Sequence, residues 1–433
     1  MTWFFKLGVI DGPLPLTIWG LTIAGVIVLL VRRPTPAWLW RVVIALAVGI
    51  GGGVALVLWA NATNAFGAPM PLGVGFWVSA GFAGTLIGIV SLWERRAWRK
   101  IVAVLVVILA LLSTTLGVNA TFGINRTVGS MFGISTEDRI DGLPKPAPTQ
   151  TPSGPLYESW TPPADMPETG KVAQLSGKDA IASTGGFTPR PATIYLPPAA
   201  LTDNPPRLPL VVMMMGYPGN PEPTFIVPVL DKMAKANKGL APIVIVADQL
   251  GSENQDPVCA DSKKYGGVST YFNTDIPAYA TQKLNVLLDH KTWTIMGYSN
   301  GGACAFTWAT HHPGIWGNVI GISSDEFPGI EWIDGAVKTI FNGDKAAFEA
   351  NKATAGIAAN PGKFADHLAV FTVGEKDAAF LPGVEMNKKQ AEAAGFTTVF
   401  RVVPGADHLA SALNGGIPFA MDLLYRRFGL SAP

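Results

Sequence analysis

One serine, Ser299, lies in "TWTIMGYSNGGACA" (residues 292–305) between Gly297 and Gly301, directly after an apolar run. Gly-x-Ser-x-Gly between a strand and a helix is a nucleophile elbow: the serine sits on a strained turn, and glycines let neighbouring backbone approach. The hydroxyl becomes a useful nucleophile only with a base to take its proton and a carboxylate to orient that base. After such an elbow the acid and then the histidine follow in the chain. Of the five histidines, His290 precedes the serine, His311 and His312 end the helix after it, and His367 opens a strand. His408, in "VVPGADHLASAL" between the last strand and a final helix, has the place of the base. The acid belongs in the loop after the preceding strand, where "LAVFTVGEKDAAF" offers two. Asp377, further from the strand end, is freer to turn toward the histidine; Glu375 is the alternative.

A tetrahedral oxyanion needs two N–H donors. One is expected from Asn300, the residue after the nucleophile, and the other from Tyr217 in the turn "MMMGYPGNP" beside Gly216. The two cysteines, Cys259 and Cys304, are expected to form a disulfide if this part of the chain lies outside the membrane; two separate buried thiols are the alternative. Neither has the Cys and His neighbours of a metal site, and no cofactor is implied.

The elements that must position these residues divide unevenly. The chain has 433 residues, a formal net charge of +1 and 48% hydrophobic content, with a mean hydropathy of +0.30. Such a charge gives no reason to expect nucleic acid. The apolar excess sits in the first 120 residues, in four stretches near the length that crosses a bilayer: Leu14–Val31, Val42–Ala60, Leu72–Trp93 and Ile101–Val118. Four such stretches do not fit a signal peptide. No Asp, Glu or His falls within them, which points to an anchor more than to a transport path. Gly49 and Gly53, and Gly84 and Gly88, have the spacing that lets membrane helices pack closely. Arg32, Arg33 and Arg41 mark the first loop, and Arg95, Arg96, Arg99 and Lys100 the third, whereas "NATNAFGAPMP" carries no Lys or Arg. The positive-inside rule places loops one and three in the cytoplasm and everything after about residue 119 outside the cytoplasmic membrane.

The expected organisation is therefore a four-span transmembrane domain at 1–118, a Pro-rich linker at 119–170 and an extracytoplasmic catalytic domain at 171–433. "GLPKPAPTQTPSGP" and "TPPADMPETG" suit an extended linker. Beyond it, β-branched runs alternate with helical patterns, predicting a mainly parallel sheet with helices on both faces. Strands are expected at 192–196, 208–215, 242–248, 292–296, 318–323, 368–374 and 397–403. Helices are expected at Val227–Asn237, Pro277–Leu288, Gly302–Thr310, Val384–Ala394 and Ala410–Phe428.

"ATIYLPP", "LPLVVMMMGYPG", "MGYSNGG" and "PGADH" together resemble the esterase D and antigen 85 (mycolyltransferase-like) branch of the α/β-hydrolases. "VCADSKKYGGVSTYFNTDIPAY" with "GYSNGGACA" is similar to actinobacterial membrane-anchored members of that branch, over about Lys171 to Phe428. The resemblance implies acyl-ester chemistry by a Ser, an Asp or Glu, and a His, which map here onto Ser299, Asp377 and His408; relatives in this branch include mycoloyl transferases and simple esterases. Met215 stands where a histidine is common in the family. The expected function is a membrane-anchored serine esterase or acyltransferase whose partners are the membrane and an acyl ester of a lipid or cell-envelope component. The alternative is a non-catalytic membrane protein whose hydrolase-like domain binds a partner or an envelope glycan.

Overall fold

The computed structural model describes residues 2–63, 70–123, 125–140, 142–143, 154–252 and 255–432. Most of the second loop "NATNAFGAPMP" (64–69) and the centre of the Pro-rich stretch (144–153) lie outside the described residues. The chain forms two compact units, Met1–Thr136 and Glu137–Pro433.

In the first unit, α1 (Pro13–Leu30), α2 (Pro36–Ala62), α3 (Leu72–Ser91) and α4 (Ala97–Phe122) are each long and apolar enough to cross a membrane. Their outward faces carry Leu21, Ile23, Ile44, Leu58, Phe76 and Leu111, all exposed, as lipid-facing helices require. Glycine decides how closely α2 and α3 approach. A Cβ on Gly49 would lie 2.6 Å from the Ala83 backbone, and one on Gly53 would lie 2.6 Å from Ser79 Cα. Gly88 lets α3 meet α4 in the same way, since its Cβ would fall 2.7 Å from Val107. The small-residue spacing is thus used for packing. Thr22 and Ser113 share a 2.7 Å hydrogen bond between α1 and α4, and Arg99 donates to the Val31 carbonyl at the C-terminus of α1. The fourth helix runs past the expected 118 to Phe122 because nothing in "NATF" stops it before Gly123, which takes the left-handed conformation (φ 70°).

The second unit is built on an eight-stranded sheet. In chain order its strands and main helices are β1 (Lys171–Gln174), β2 (Thr193–Leu196), β3 (Leu210–Met214), α5 (Val227–Ala236), β4 (Ile243–Val246), α6 (Ile276–Lys283), β5 (Trp293–Tyr298), α7 (Asn300–His311), β6 (Asn318–Ile322), β7 (Leu368–Gly374), α8 (Leu381–Ala394), β8 (Thr397–Val403) and α9 (Ala410–Arg427). The strand order is β1-β2-β4-β3-β5-β6-β7-β8. β2 pairs antiparallel with both β1 and β4, and the pairs from β4 through to β8 are parallel. The central strands are buried along their whole length, as a parallel sheet covered on both faces demands.

Two features differ from expectation. β1 is a short edge strand of alternating exposure, and "KVAQ" carries too little apolar patterning to announce itself. The hydrolase unit also begins before residue 171: Ile140 and Leu156 are buried in its core, and Trp160 packs against that core. Between β6 and β7 the chain adds three short helices, Ile333–Thr339, Lys345–Ala350 and Ala353–Ala359. Val337, Ile340 and Phe348 form a small separate core there with Val258 and Ala260.

Candidate active site

β5 ends at Tyr298 and α7 begins at Asn300, so Ser299 alone makes the turn. Its backbone has φ 54° and ψ −124°, a region that non-glycine residues avoid. The turn closes only because its neighbours are glycines. A Cβ on Gly297 would lie 2.0 Å from the Gly301 carbonyl oxygen, and one on Gly301 would lie 2.5 Å from the Met215 oxygen. Ser299 N–H donates to the Ile322 carbonyl of β6 at 2.9 Å, fixing the elbow to the next strand.

His408 and Asp377 come from the loops after β8 and β7, as expected from their order in the chain. His408 Nε2 lies 3.0 Å from Ser299 Oγ, and His408 Nδ1 lies 2.8 Å from Asp377 Oδ2. Asp377 and Ser299 are both buried. Two residues hold the imidazole that sequence reasoning did not single out. Phe380 stacks on it with ring centroids 3.6 Å apart and planes 16° apart, and the Tyr298 hydroxyl donates to the His408 carbonyl. Glu375 is exposed and turned away, accepting from Gly405 N–H at 2.7 Å, where it braces the loop that carries the histidine.

Gly216 lies against the nucleophile: a Cβ there would come within 3.2 Å of Ser299 Cβ. This brings the turn after β3, with Tyr217, to the elbow. Among the described residues, neither Tyr217 N–H nor Asn300 N–H donates to a backbone acceptor. The Asn300 side chain is held on both sides: Gln249 Nε2 lies 3.2 Å from its Oδ1 while also donating to the Met215 carbonyl at 2.6 Å, and Asp256 accepts from it. Gln249 thus ties the two turns that present these N–H groups.

The cleft is strongly acidic. Asp325, just past the C-terminal end of β6, is buried, and its carboxylate takes no hydrogen bond among the described residues. Burial, then the charges of Glu331, Asp256 and Asp377, push its pKa well above the usual carboxylate range. Burial also raises Asp256, although the Val258 N–H (2.8 Å), Asn300 and Trp332 partly oppose this. Glu331, open to solvent on one side, is raised by partial desolvation and then by Asp256. The Tyr217 phenol, raised by desolvation first, also senses Asp256 and Glu331. These acids stand alone in loops and carry no spacing signal. The usable hint was position, since ligands in open α/β sheets gather beyond the carboxyl ends of the strands.

Cys259 and Cys304 form a disulfide with a Cα–Cα distance of 5.3 Å, joining the loop after β4 to the nucleophile helix α7.

An uncharacterised protein of Corynebacterium glutamicum is 30% identical to this chain over 365 residues, covering 82% of each. The chain belongs to the same family. No family model matches it. A ferulic acid esterase is similar in structure (TM-score 0.50, 18% identity), covering 60% of this chain and 99% of that one. An S-formylglutathione hydrolase from Agrobacterium tumefaciens has a TM-score of 0.49 and 16% identity, covering 61% of this chain and 98% of its own. With the strand order above, the first likeness shows that the second unit has the α/β-hydrolase fold; this chain therefore joins four long apolar helices to an α/β-hydrolase unit.

Proposed function

We propose that the chain is a membrane-anchored serine esterase or acyltransferase of the esterase D and antigen 85 branch, acting outside the cytoplasmic membrane on acyl esters of lipids or cell-envelope components. The observation that carries this reading is the relay from Asp377 Oδ2 through His408 to Ser299 Oγ, at 2.8 and 3.0 Å, on a strained elbow. In this reading Ser299 Oγ attacks the ester carbonyl while His408 Nε2 takes its proton. The oxyanion collects the N–H groups of Tyr217 and Asn300. The carbonyl then re-forms as the alkoxide leaves with the proton from His408, giving an acyl-enzyme. Water or a second hydroxyl accepts the acyl group in the next half-reaction, with Asp377 steadying the imidazolium throughout. The arginine-rich first and third loops support the outward orientation, and a tether to the bilayer raises the effective concentration of membrane-borne esters.

Within that class the acidic cleft favours an ester bearing a cation near the scissile bond, such as a lipid aminoacyl ester, over a purely aliphatic acyl ester. Asp325 is the specific support, since a carboxylate crowded by Glu331, Asp256 and Asp377 is relieved by a cation. A fluorophosphonate probe tests the chemistry: it should label the wild-type chain and not Ser299→Ala. Labelling that persists in Ser299→Ala, or is absent from the wild type, returns the chain to a binding role. Alanine and acetate p-nitrophenyl esters test the preference. Asp325→Asn should lower kcat/KM for the first more than for the second, and an equal loss on both removes the cationic reading alone.

A further inference from the structure

The two N–H groups that the esterase reading gives to the oxyanion, those of Tyr217 and Asn300, sit on different turns. One turn follows β3 and the other opens α7. We propose that Gln249, with Arg190 beside it, is the positioning residue that sets the spacing of these two donors and so the width of the oxyanion pocket. The role rests on the esterase reading of Ser299.

The turn after β3 needs such a brace. Among the described residues, the last backbone bond between β4 and β3 runs from Ala247 N–H to the Met213 carbonyl, at 2.9 Å. Beyond it the chain passes through Gly216, the least restrained residue type. There the Gln249 carboxamide takes over from the ladder. Its Nε2 donates to the Met215 carbonyl at 2.6 Å and to Asn300 Oδ1 at 3.2 Å. One planar amide therefore touches the residue before Gly216 and the residue after the nucleophile. Gln249 is 3% exposed, so water does not compete for either bond. Asp256 holds the Asn300 side chain from its other end.

Gln249 is itself seated on a rigid loop. The neighbouring Asp248 is 1% exposed. It accepts from the backbone N–H groups of Arg190, Leu250 and Gly251 at 2.8, 3.0 and 2.9 Å. The Arg190 guanidinium adds bonds from Nε at 3.0 Å and Nη2 at 2.6 Å. Charge-assisted bonds of this kind are the strong ones, and together they fix the loop after β4. The remaining arm of the guanidinium, Nη1, donates to Asn220 Oδ1. The turn that carries Tyr217 is thus gripped at Met215 by Gln249 and at Asn220 by Arg190, and both grips start from the same loop. Such bracing matters to the chemistry because the donors must already stand where the oxyanion will form.

The test is p-nitrophenyl acetate turnover by the full chain in detergent, with inhibition by a trifluoromethyl ketone, whose hemiketal with a serine carries the oxyanion. Gln249→Met keeps the length of the side chain and donates nothing. It should lower kcat about 10- to 100-fold, keep KM within about 2-fold, and weaken the ketone by the same factor as kcat/KM. A merely structural role would instead lower the fraction of chains that a fluorophosphonate labels and leave kcat per labelled serine unchanged. Gln249→Glu supplies a rescue. As pH falls its carboxyl protonates and regains a donor, so its activity relative to Gln249→Met should rise. Where Gln249→Met does not fold, Asn220→Ala frees the other end of the turn and should show the same split, with a loss of about 3- to 10-fold. Full kcat per labelled serine in the variant that folds, or a loss carried by KM alone, would overturn the proposal and leave the esterase reading intact. So would a Gln249→Glu chain no more active than Gln249→Met at any pH. A wild-type chain that neither turns over the ester nor takes the fluorophosphonate would overturn both.

Discussion

At the scale of single residues, the relay makes graded demands. Ser299→Ala and His408→Ala should each lower p-nitrophenyl ester turnover by at least about 10³-fold, because triad members act as a unit. Asp377→Asn should leave more activity, since the aspartate orients and stabilises the imidazole without taking its proton. Glu375→Gln should cost little, because Glu375 braces Gly405 rather than facing the histidine. A crippled Glu375→Gln beside a mild Asp377→Asn would reverse the assignment of the acid. Asp325 makes a demand on stability. Its pKa is raised in the folded state, so between the usual carboxylate range and that raised value the native state holds the extra proton. Stability from this group is present at low pH and is lost as pH rises through the folded pKa. Asp325→Asn should therefore flatten the fall in Tm as pH rises above the usual carboxylate range. A melt series in which variant and wild type fall in parallel would remove Asp325 as the cause. That Ser299, His408 and Asp377 come together was legible because elbow, loop and chain order constrain them together. Asp256, Asp325 and Glu331 were not, because a lone carboxylate in a loop looks the same in sequence whether it faces water or a cleft.

At the scale of elements, the strands that form the buried centre of the sheet were readable from their continuous β-branched runs, and β7 and β8 match the expected bounds. What escaped notice lacked such patterning: the edge strand β1, and the three short helices between β6 and β7, which are too brief to show a period. The elbow illustrates how an element can depend on one atom. Gly297→Ala should abolish soluble expression of the folded unit or force the turn open, since its new methyl would meet the Gly301 carbonyl at 2.0 Å. The disulfide ties this same helix to the loop after β4 across a separation of 45 residues. Replacing Cys259 and Cys304 together by serine should cost roughly 2–4 kcal/mol, read as a lowered Tm of the full chain. Wild type treated with a reductant should melt at the same lowered temperature. If neither treatment moves Tm, the bond adds nothing to stability.

At the scale of the whole molecule, orientation follows from where the charges are and where the second unit begins. Loops one and three and the first turns of the helices that follow them hold seven Lys and Arg residues: Arg32, Arg33, Arg41, Arg95, Arg96, Arg99 and Lys100. Arg32 is paired with Glu94 and Arg99 with helix carbonyls, but acidic residues weigh little in setting topology, so the bias stands. In the proposed topology four crossings return the chain to the side on which it began, and the hydrolase unit starts soon after α4, at Glu137. One choice of orientation therefore fixes the compartment of Ser299. Both native cysteines are consumed in the disulfide, so an introduced cysteine can be read without background. Gly154→Cys, at an exposed position before the hydrolase core, should react with a membrane-impermeant maleimide on intact cells. Pro34→Cys, exposed in loop one, should react only after the membrane is opened. The reverse pattern would place Ser299 in the cytoplasm and overturn the proposed compartment, whereas reaction of both on intact cells would mean that the four helices do not span.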